Sequence, residues 1–454
     1  MSDTDAQDRP EAAFQKNARA NHLSFSKENS TYNREWFLAL KARVEAGEPF
    51  VFVNADVPTE IFKAMDIPVV VNQWWAAVVA AKQKSAQYLG ALNAQGYREN
   101  LCKYCSLSYA STLEQDSAEA PWGGLPPPTV VISSNDCNSQ NKIFELWADR
   151  TGAAYFAMDR AAPTQPNLDG WLDRLREDWN DVFGDEVIDY LAEQYRELID
   201  FLERHTGRRF DPDRLREVMD LVNEQEEYYR KTRDLISATR PAPLNVADQM
   251  PATMIPQWHR GTTWGRDRAK LFYEETLAKV QAGQGVVADE RVRLMWLGTG
   301  LWYNLGFYEY FEQRYGAVFV WSIYLAIAAD AYPTYPSRPD EDPLRTLAAR
   351  MTKIYAILNT APFNVEWFKA EAKRAQIDGV VSLTGGTEDD CRETFGQHYL
   401  VRRAFEEMGV PVLRLGVDNA DARTWNDEAI RKQVGEFIET KILAARAGDA
   451  QGEE

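Results

Sequence analysis

The segment TVVISSNDCNSQNKIFELWADRTGAAYFAM, residues 129–158, contains the clearest folding pattern in the chain. It opens with a β-branched apolar run, and a polar turn with Cys137 follows. Residues 142–151 have the apolar spacing of an amphipathic helix, which ends at Gly152. A second apolar run occupies residues 153–158. A strand, a turn, a helix and another strand in this order predict parallel strands joined by a crossover helix.

The same pattern recurs near the C-terminal end. Residues 379–383 predict a strand, and the polar turn after it leads to Cys391. The helix that follows ends at Gly409, and residues 410–415 predict the return strand. Both copies therefore have a cysteine shortly after the first strand.

A third copy has no cysteine. It consists of a strand at 292–298, a helix at 307–315 and a strand at 318–321. Upstream of the first copy, residues 50–53 and 67–71 predict two more strands, and residues 34–46 and 73–94 predict helices. Since strands alternate with helices, we predict an α/β fold with two Rossmann-like domains, each a parallel sheet flanked by helices, joined by a helical segment.

Five regions are expected along the chain. The apolar residues from 167 to 238 keep helical spacing over much of that stretch, which indicates a helical connection between the two α/β units. The expected regions are an N-terminal helical arm at 1–48, a first α/β domain at 49–165, a helical connecting region at 166–285, a second α/β domain at 286–445 and a flexible acidic tail at 446–454.

Composition excludes several classes of protein. With 454 residues and 45% hydrophobic residues the chain can bury a large core, and its net charge of −18 argues against nucleic acid or an anionic membrane as partner. Four cysteines are too few for a disulfide-stapled secreted scaffold. The start, residues 1–14, is polar and not typical of a secretory signal, and the most apolar stretch, 67–81, is shorter than a membrane span. We therefore predict a cytoplasmic protein.

The cysteines are the main candidates for chemistry. Cys137 and Cys391 follow strands of two α/β units, and ligands of such sheets lie beyond the carboxyl ends of the strands. Cys102 lies shortly upstream of the first unit, in a loop or an early helix. Three thiolates from these positions could hold three irons of a cubane cluster and leave the fourth open.

Other interpretations of the cysteines stay open. Each could be a buried small hydrophobic residue, and Cys102 with Cys105 could be a redox pair or half of a zinc site. A mononuclear zinc enzyme is not expected, because no metal-ligand spacing connects the four histidines, His22, His205, His259 and His398.

Phosphate-binding motifs are weak. Residues 298–300 (GTG) lack the third glycine of a dinucleotide fingerprint, and no glycine-rich loop ends in Lys-Ser or Lys-Thr. A nucleotide-hydrolysing site in this chain is therefore not expected. At least one of Trp74 and Trp75 is expected in the core, and the acidic helices from 173 to 226 are expected to present solvated faces.

Three groups of residues resemble one family over about residues 45–440. They are 97–102 (YRENLC), 125–137 (LPPPTVVISSNDC), and 390–397 (DCRETFGQ) with 408–411 (MGVP) and 416–418 (GVD). In order and spacing they are similar to the iron–sulfur subunits of (R)-2-hydroxyacyl-CoA dehydratases and class I benzoyl-CoA reductases, including the D-component of 2-hydroxyglutaryl-CoA dehydratase.

The resemblance implies a cofactor and its ligands. Cys102, Cys137 and Cys391 fall on the three thiolates that bind a [4Fe-4S] cluster in that family. Cys105 falls where the family has no ligand, which implies a structural or supporting role. Asp389 and Asp390 depart from the resemblance, because basic or small polar residues are expected just before the last cysteine.

It also implies a reaction and partners. A separate ATP-hydrolysing activator donates one electron, and the cluster passes it to the thioester carbonyl of an acyl-CoA. The ketyl radical loses the C2 hydroxyl as hydroxide and then a C3 proton, and the electron is returned for the next turnover as the enoyl-CoA forms. A second related subunit would complete a hetero-oligomer. The alternatives are a subunit of an aryl-CoA ring reductase and a non-catalytic partner subunit. No catalytic base is identified from the sequence.

Overall fold

The fold is known from a computed structural model of the chain. It describes residues 23–97, 102–114, 116–135, 137–161, 169–174, 179–328, 335, 341–384 and 397–446.

A first parallel sheet lies in the N-terminal part. Its strands are β1 (Val51–Val53), β2 (Val69–Val71), β3 (Val130–Ser134) and β4 (Ala154–Met158), in the order β2-β1-β3-β4. Val51 aligns with both Val69 and Val130. The helices of this part are α1 (Ser26–Glu45), α2 (Thr59–Ala64), α3 (Asn72–Ala81), α4 (Ser85–Ala94), α5 (Lys103–Ser111) and α6 (Asn138–Thr151).

A run of helices connects this sheet to the second. They are α7 (Trp171–Arg174), α8 (Trp179–Phe183), α9 (Asp185–Thr206), α10 (Pro212–Ala238), α11 (Val246–Thr253), α12 (Pro256–His259) and α13 (Thr263–Gln281). Helix α10 begins as its sequence predicts, since the Asp211 side chain accepts the backbone N–H of Asp213 at 2.9 Å and Pro212 occupies the first turn.

The second sheet repeats the topology of the first. Strands β5 (Val292–Leu297), β6 (Ala317–Ser322), β7 (Gly379–Leu383) and β8 (Val412–Leu415) are parallel and lie in the order β6-β5-β7-β8. Its helices are α14 (Tyr310–Tyr315), α15 (Ile323–Ala328), α16 (Pro343–Asn359), α17 (Phe363–Arg374), α18 (Arg402–Glu407) and α19 (Asp427–Phe437).

The shared strand order confirms the predicted α/β fold with two parallel sheets. In each sheet the second strand along the chain lies on one side of the first strand, and the third strand lies on the other side. The direction in which the chain adds strands therefore reverses between β1 and β3, and again between β5 and β7. The carboxyl ends of such strand pairs form the crevice in which α/β proteins bind ligands. The limits of the five predicted regions stay a prediction.

Three local expectations need correction. The arm helix begins at Ser26, whereas the sequence suggested a start near residue 34, and the helix expected over 73–94 is broken at Lys82 to Lys84, where Gln83 has a φ of 59°. The acidic faces between 173 and 226 are not solvated throughout, because Glu226 is fully buried. Trp74 and Trp75 are both buried, as expected for core residues.

Membrane-spanning helices are not found in the part of the chain that the structure describes. None of its helices is both long enough and apolar enough to cross a bilayer.

Candidate functional site

Cys137 lies at the start of helix α6, just beyond the end of β3. It is the N-cap residue, with extended backbone angles, and its carbonyl accepts the N–H of Asn141 at 3.0 Å. The residue is 6% exposed. The strand end directs the chain to the crevice between β1 and β3, and the helix N-terminus provides a positive local potential that favours a thiolate.

Cys102 has the same position on helix α5. Its Sγ accepts the backbone N–H of Cys105 at 3.4 Å. Hydrogen bonding from Cys105 lowers the pKa of the Cys102 thiol below its ordinary value, although burial and the charge of Asp418 oppose the shift. The lowered pKa makes the thiolate of Cys102, the form that binds metal ions, easier to form.

The first turns of α5 and α6 meet through Cys105. This residue is 7% exposed and its Sγ donates to Oε1 of Gln140 at 3.7 Å. Gln73, at the start of α3, donates to the same oxygen at 3.3 Å. The helices that begin at Cys102 and Cys137 are thus in contact at their N-termini, and Cys105 contributes to that contact.

Helix α5 also contacts the second sheet. The Nζ of Lys103 lies 3.0 Å from Oδ2 of Asp421, and the two side chains are 13% and 2% exposed. Tyr303, beyond β5, donates its hydroxyl to the carbonyl of Asp418 at 2.7 Å. Asp418 and Asp421 follow β8, so Cys102 lies against the carboxyl edge of the second sheet.

Cys391 lies outside the described residues. The last described residue of its strand segment is Thr384, whose N–H donates to the carbonyl of Leu415 at 2.9 Å at the ends of β7 and β8. In chain order Cys391 follows β7 as Cys137 follows β3, and these are equivalent strands of the two sheets. Within the described residues no group of three His, Cys, Asp or Glu side chains is arranged to hold a metal. None of the three described cysteines is in a disulfide.

The family model of 2-hydroxyglutaryl-CoA dehydratase, D-component, matches residues 54–440. The chain belongs to this family. The (R)-2-hydroxyisocaproyl-CoA dehydratase alpha subunit of Clostridioides difficile is 23% identical over 414 residues, 90% of this chain and 94% of that protein. The (R)-phenyllactyl-CoA dehydratase alpha subunit of Clostridium sporogenes is 24% identical over 415 residues, 90% and 93% of the two chains. One benzoyl-CoA reductase subunit of Thauera aromatica is 24% identical over 373 residues, 79% and 80%.

A buried charge cluster in this member of the D-component family was not predicted from the sequence. Glu60 lies in the first turn of α2, and its Oε1 accepts the hydroxyl of Tyr335 at 2.6 Å. Arg350, on α16, lies 3.4 Å from Glu60 and 3.7 Å from Glu226, and these three charged side chains are fully buried. Burial alone would raise the pKa of Glu60, but the charges of Arg260 and Arg350 outweigh it and lower the pKa below the ordinary value.

A second ion pair lies beside this cluster at the carboxyl edge of the first sheet. Asp56, after β1, lies 3.2 Å from Arg160, which follows β4. The Arg160 guanidinium lies 3.8 Å from the ring centre of Tyr355, and the Tyr355 hydroxyl donates to the carbonyl of Asp56 at 2.8 Å. In the sequence, the one feature that indicates this ion pair is that Asp56 and Arg160 each follow a predicted strand closely. Their partner on α16 is distant in sequence, so no local pattern identifies it.

Proposed function

We propose that this chain is the [4Fe-4S]-bearing subunit of an ATP-activated (R)-2-hydroxyacyl-CoA dehydratase. The observation that carries the proposal is the contact between the first turns of α5 and α6, which start at Cys102 and Cys137 beyond the carboxyl edge of the first sheet. Two relatives are named as alpha subunits of 2-hydroxyacyl-CoA dehydratases. The proposed activity removes water from a 2-hydroxyacyl-CoA to give an enoyl-CoA through a ketyl radical.

The residues suit an iron–sulfur cluster. Cys102 and Cys137 are at helix N-termini, and the pKa of Cys102 is lowered, so both environments favour thiolate ligands. Cys391 is proposed as the third ligand from the segment after β7. A bound cluster would supply one-electron transfer and an open iron for substrate oxygen.

The chain itself would then position and enclose the site. The N–H of Cys105 stabilises negative charge on the Cys102 sulfur, and Gln140 holds Cys105 in place. The ion pair between Lys103 and Asp421 holds helix α5 against the end of β8, which neighbours the strand that leads to Cys391. Cys137 is buried and Cys102 is partly buried, which limits the access of water to the sulfur atoms and lowers the local dielectric constant.

The proposal includes partners. A second related subunit is expected because relatives are named as alpha subunits, and a separate ATP-hydrolysing activator would deliver the electron. An acyl-CoA thioester is the proposed substrate. The cytoplasmic location stays a prediction from composition.

Removal of a ligand cysteine should remove iron. After anaerobic purification, we expect about four irons and four sulfides per chain, and we expect Cys102→Ala, Cys137→Ala and Cys391→Ala each to lose most of both. Cys105→Ser is the matched control and should keep the iron, since a serine hydroxyl can still donate to Oε1 of Gln140, the acceptor of the Cys105 thiol. Iron and sulfide analysis with electron paramagnetic resonance gives the readout. Iron that is absent from the parent protein, or unchanged in Cys137→Ala, contradicts the cluster assignment.

Lys103→Met should weaken binding of the cluster without unfolding the chain. Asp421 keeps its contact with Arg423 at 2.8 Å, so its buried carboxylate stays paired. Loss of one charge-assisted bond, about 1.5–3 kcal/mol, predicts iron release to a chelator about tenfold faster or more. Lys432→Met is the control, since Lys432 is 74% exposed on α19. Equal release rates for the two variants would show that the ion pair does not position Cys102.

A second candidate function is supported by one relative. The benzoyl-CoA reductase subunit of Thauera aromatica matches 79% of this chain, which favours an aryl-CoA ring reductase as the alternative. Product analysis with the activator separates the two activities. Consumption of two electrons per product indicates a reductase, and electrons needed only in catalytic amounts indicate a dehydratase. A non-catalytic subunit would show neither product nor iron.

A further inference from the structure

A cavity of about 480 Å³ lies at the amino end of β2. Helices α1, α2 and α10 and the start of α13 surround it. Its wall is mainly apolar and includes Leu40, Phe62, Val69 and Val218. Since Cys102 and Cys137 lie beyond the carboxyl ends of the strands, this cavity is separate from the site described above. Its volume is in the range of ordinary small-molecule pockets.

Lys63 is one of the charged residues that line this cavity. Its Nζ donates to the carbonyl of Trp258 at 3.3 Å, and no carboxylate among the described residues forms an ion pair with it. Burial, and secondly the charge of Arg43, lower the pKa of Lys63 to about 8, so the ammonium form still predominates at neutral pH. The charges of Asp66 and Glu60 partly oppose this shift, but neither carboxylate forms an ion pair with Lys63, and a bound anion beside this partly buried ammonium group would provide that pairing.

The remaining charges of the cavity balance one another. Arg43 and Arg214 line its rim together with Asp66 and Glu217, two cations with two carboxylates. Lys63 therefore leaves the lining with one uncompensated positive charge. A ligand with a single negative charge near Lys63 would make the cavity neutral.

The start of α13 adds hydrogen-bond donors beside Lys63. Thr262 is its N-cap and accepts the N–H of Gly265 at 3.0 Å, while the N–H groups of Thr263 and Trp264, in the first turn, have no acceptor within the helix. Gly261 makes the tight approach to α10 possible, because a Cβ there would lie 2.4 Å from Cγ1 of Val218. Backbone N–H groups at a helix N-terminus add to the attraction that Lys63 exerts on an anion.

We propose that this cavity binds a small organic anion, whose single carboxylate or phosphate group pairs with Lys63 and the start of α13. The apolar body of the ligand packs against Leu40, Phe62 and Val218. The apolar wall requires such a body, so inorganic phosphate alone binds more weakly than an alkyl carboxylate or an alkyl phosphate.

Calorimetric titration of the purified complex with hexanoate, hexyl phosphate and inorganic phosphate tests the proposal. Saturable binding of either hexyl compound is expected, and the tighter of the two identifies the head group. Lys63→Met should weaken it by about 10- to 100-fold, the loss of one charge-assisted bond. Lys270→Met removes the same charge from an exposed position of α13 and should leave binding unchanged.

A second variant tests the cavity without removal of Lys63. Ala39 is exposed on α1 and lines the cavity, so Ala39→Trp should fold normally and block ligand entry. Loss of binding in both Ala39→Trp and Lys63→Met supports the site. Absence of hexanoate and hexyl phosphate binding at about 10 mM, or full binding in either variant, overturns it.

Discussion

Arg350→Met is expected to lower the free energy of unfolding by about 3–5 kcal/mol. The guanidinium is fully buried and lies 3.4 Å from Glu60 and 3.7 Å from Glu226. It also stacks over the ring of Tyr335 at 5.0 Å. Methionine fills a similar volume but leaves two buried carboxylates without this cation. The desolvation cost of those carboxylates, rather than a loss of packing, is the reason for the large effect.

Urea unfolding followed by circular dichroism measures this effect. Arg403→Met is the control, because Arg403 and Glu407 form a 3.0 Å pair in which both side chains are 66% exposed, and such a pair contributes about 0–1 kcal/mol. The double variant Arg350→Met with Glu226→Gln should recover part of the loss, since it removes one of the two buried charges. If Arg350→Met is no more destabilising than Arg403→Met, the cluster does not depend on Arg350.

Local patterns predicted most of the fold. The strand–turn–helix–strand order of residues 129–158 became β3, α6 and β4, and Gly152 ends the helix in the left-handed conformation with a φ of 71°. Gly379 to Leu383 became β7 at the predicted residues. These elements were predictable because apolar periodicity and helix-end glycines act over short distances in the chain.

The contacts of the candidate site were harder to predict. The sequence placed Cys102 in a loop or an early helix, but not at an N-cap, a position more typical of Ser, Thr, Asp or Asn. The ion pair of Lys103 with Asp421 joins segments far apart in sequence. Glu226 belongs to an acidic helix that was expected to be solvated, but it is buried beside Arg350, a partner that is distant in sequence. Local patterns do not contain such pairings, which depend on how the sheets and the connecting helices pack.

Glu312→Gln is expected to change how stability depends on pH. Glu312 is 5% exposed, and its Oε1 accepts the side-chain amide of Asn245 at 2.7 Å. Burial raises the pKa of Glu312 to about 8, the Asn245 hydrogen bond opposes this, and the charges of Asp248 and Glu309 add to it. Burial is also the main cause that raises the pKa of Asp248 and of Glu309 to about 7 each. Among the described residues, Lys279 is the one cation whose charge opposes this shift and lowers the pKa of Asp248.

The sign of the effect follows from proton binding. An unfolded glutamate releases its proton near its ordinary pKa of 4.5, whereas the folded chain retains the Glu312 proton up to about pH 8. The contribution of this group to stability is therefore fully present below about pH 4.5 and is lost as the pH rises through about 8. Glutamine has no proton to release, so the variant should lose less stability over this range.

Urea unfolding at several pH values measures the difference. Near pH 5 the parent and Glu312→Gln should be close in stability, and at pH 8 the variant should be more stable by about 3–4 kcal/mol, since one retained proton changes the free energy by about 1.4 kcal/mol per pH unit. Glu436→Gln, at a position that is 62% exposed on α19, should follow the parent at every pH. A parallel pH dependence for the parent and Glu312→Gln would mean that Glu312 is ionised in the folded protein. The carboxyl group that stays protonated would then be that of Asp248 or Glu309.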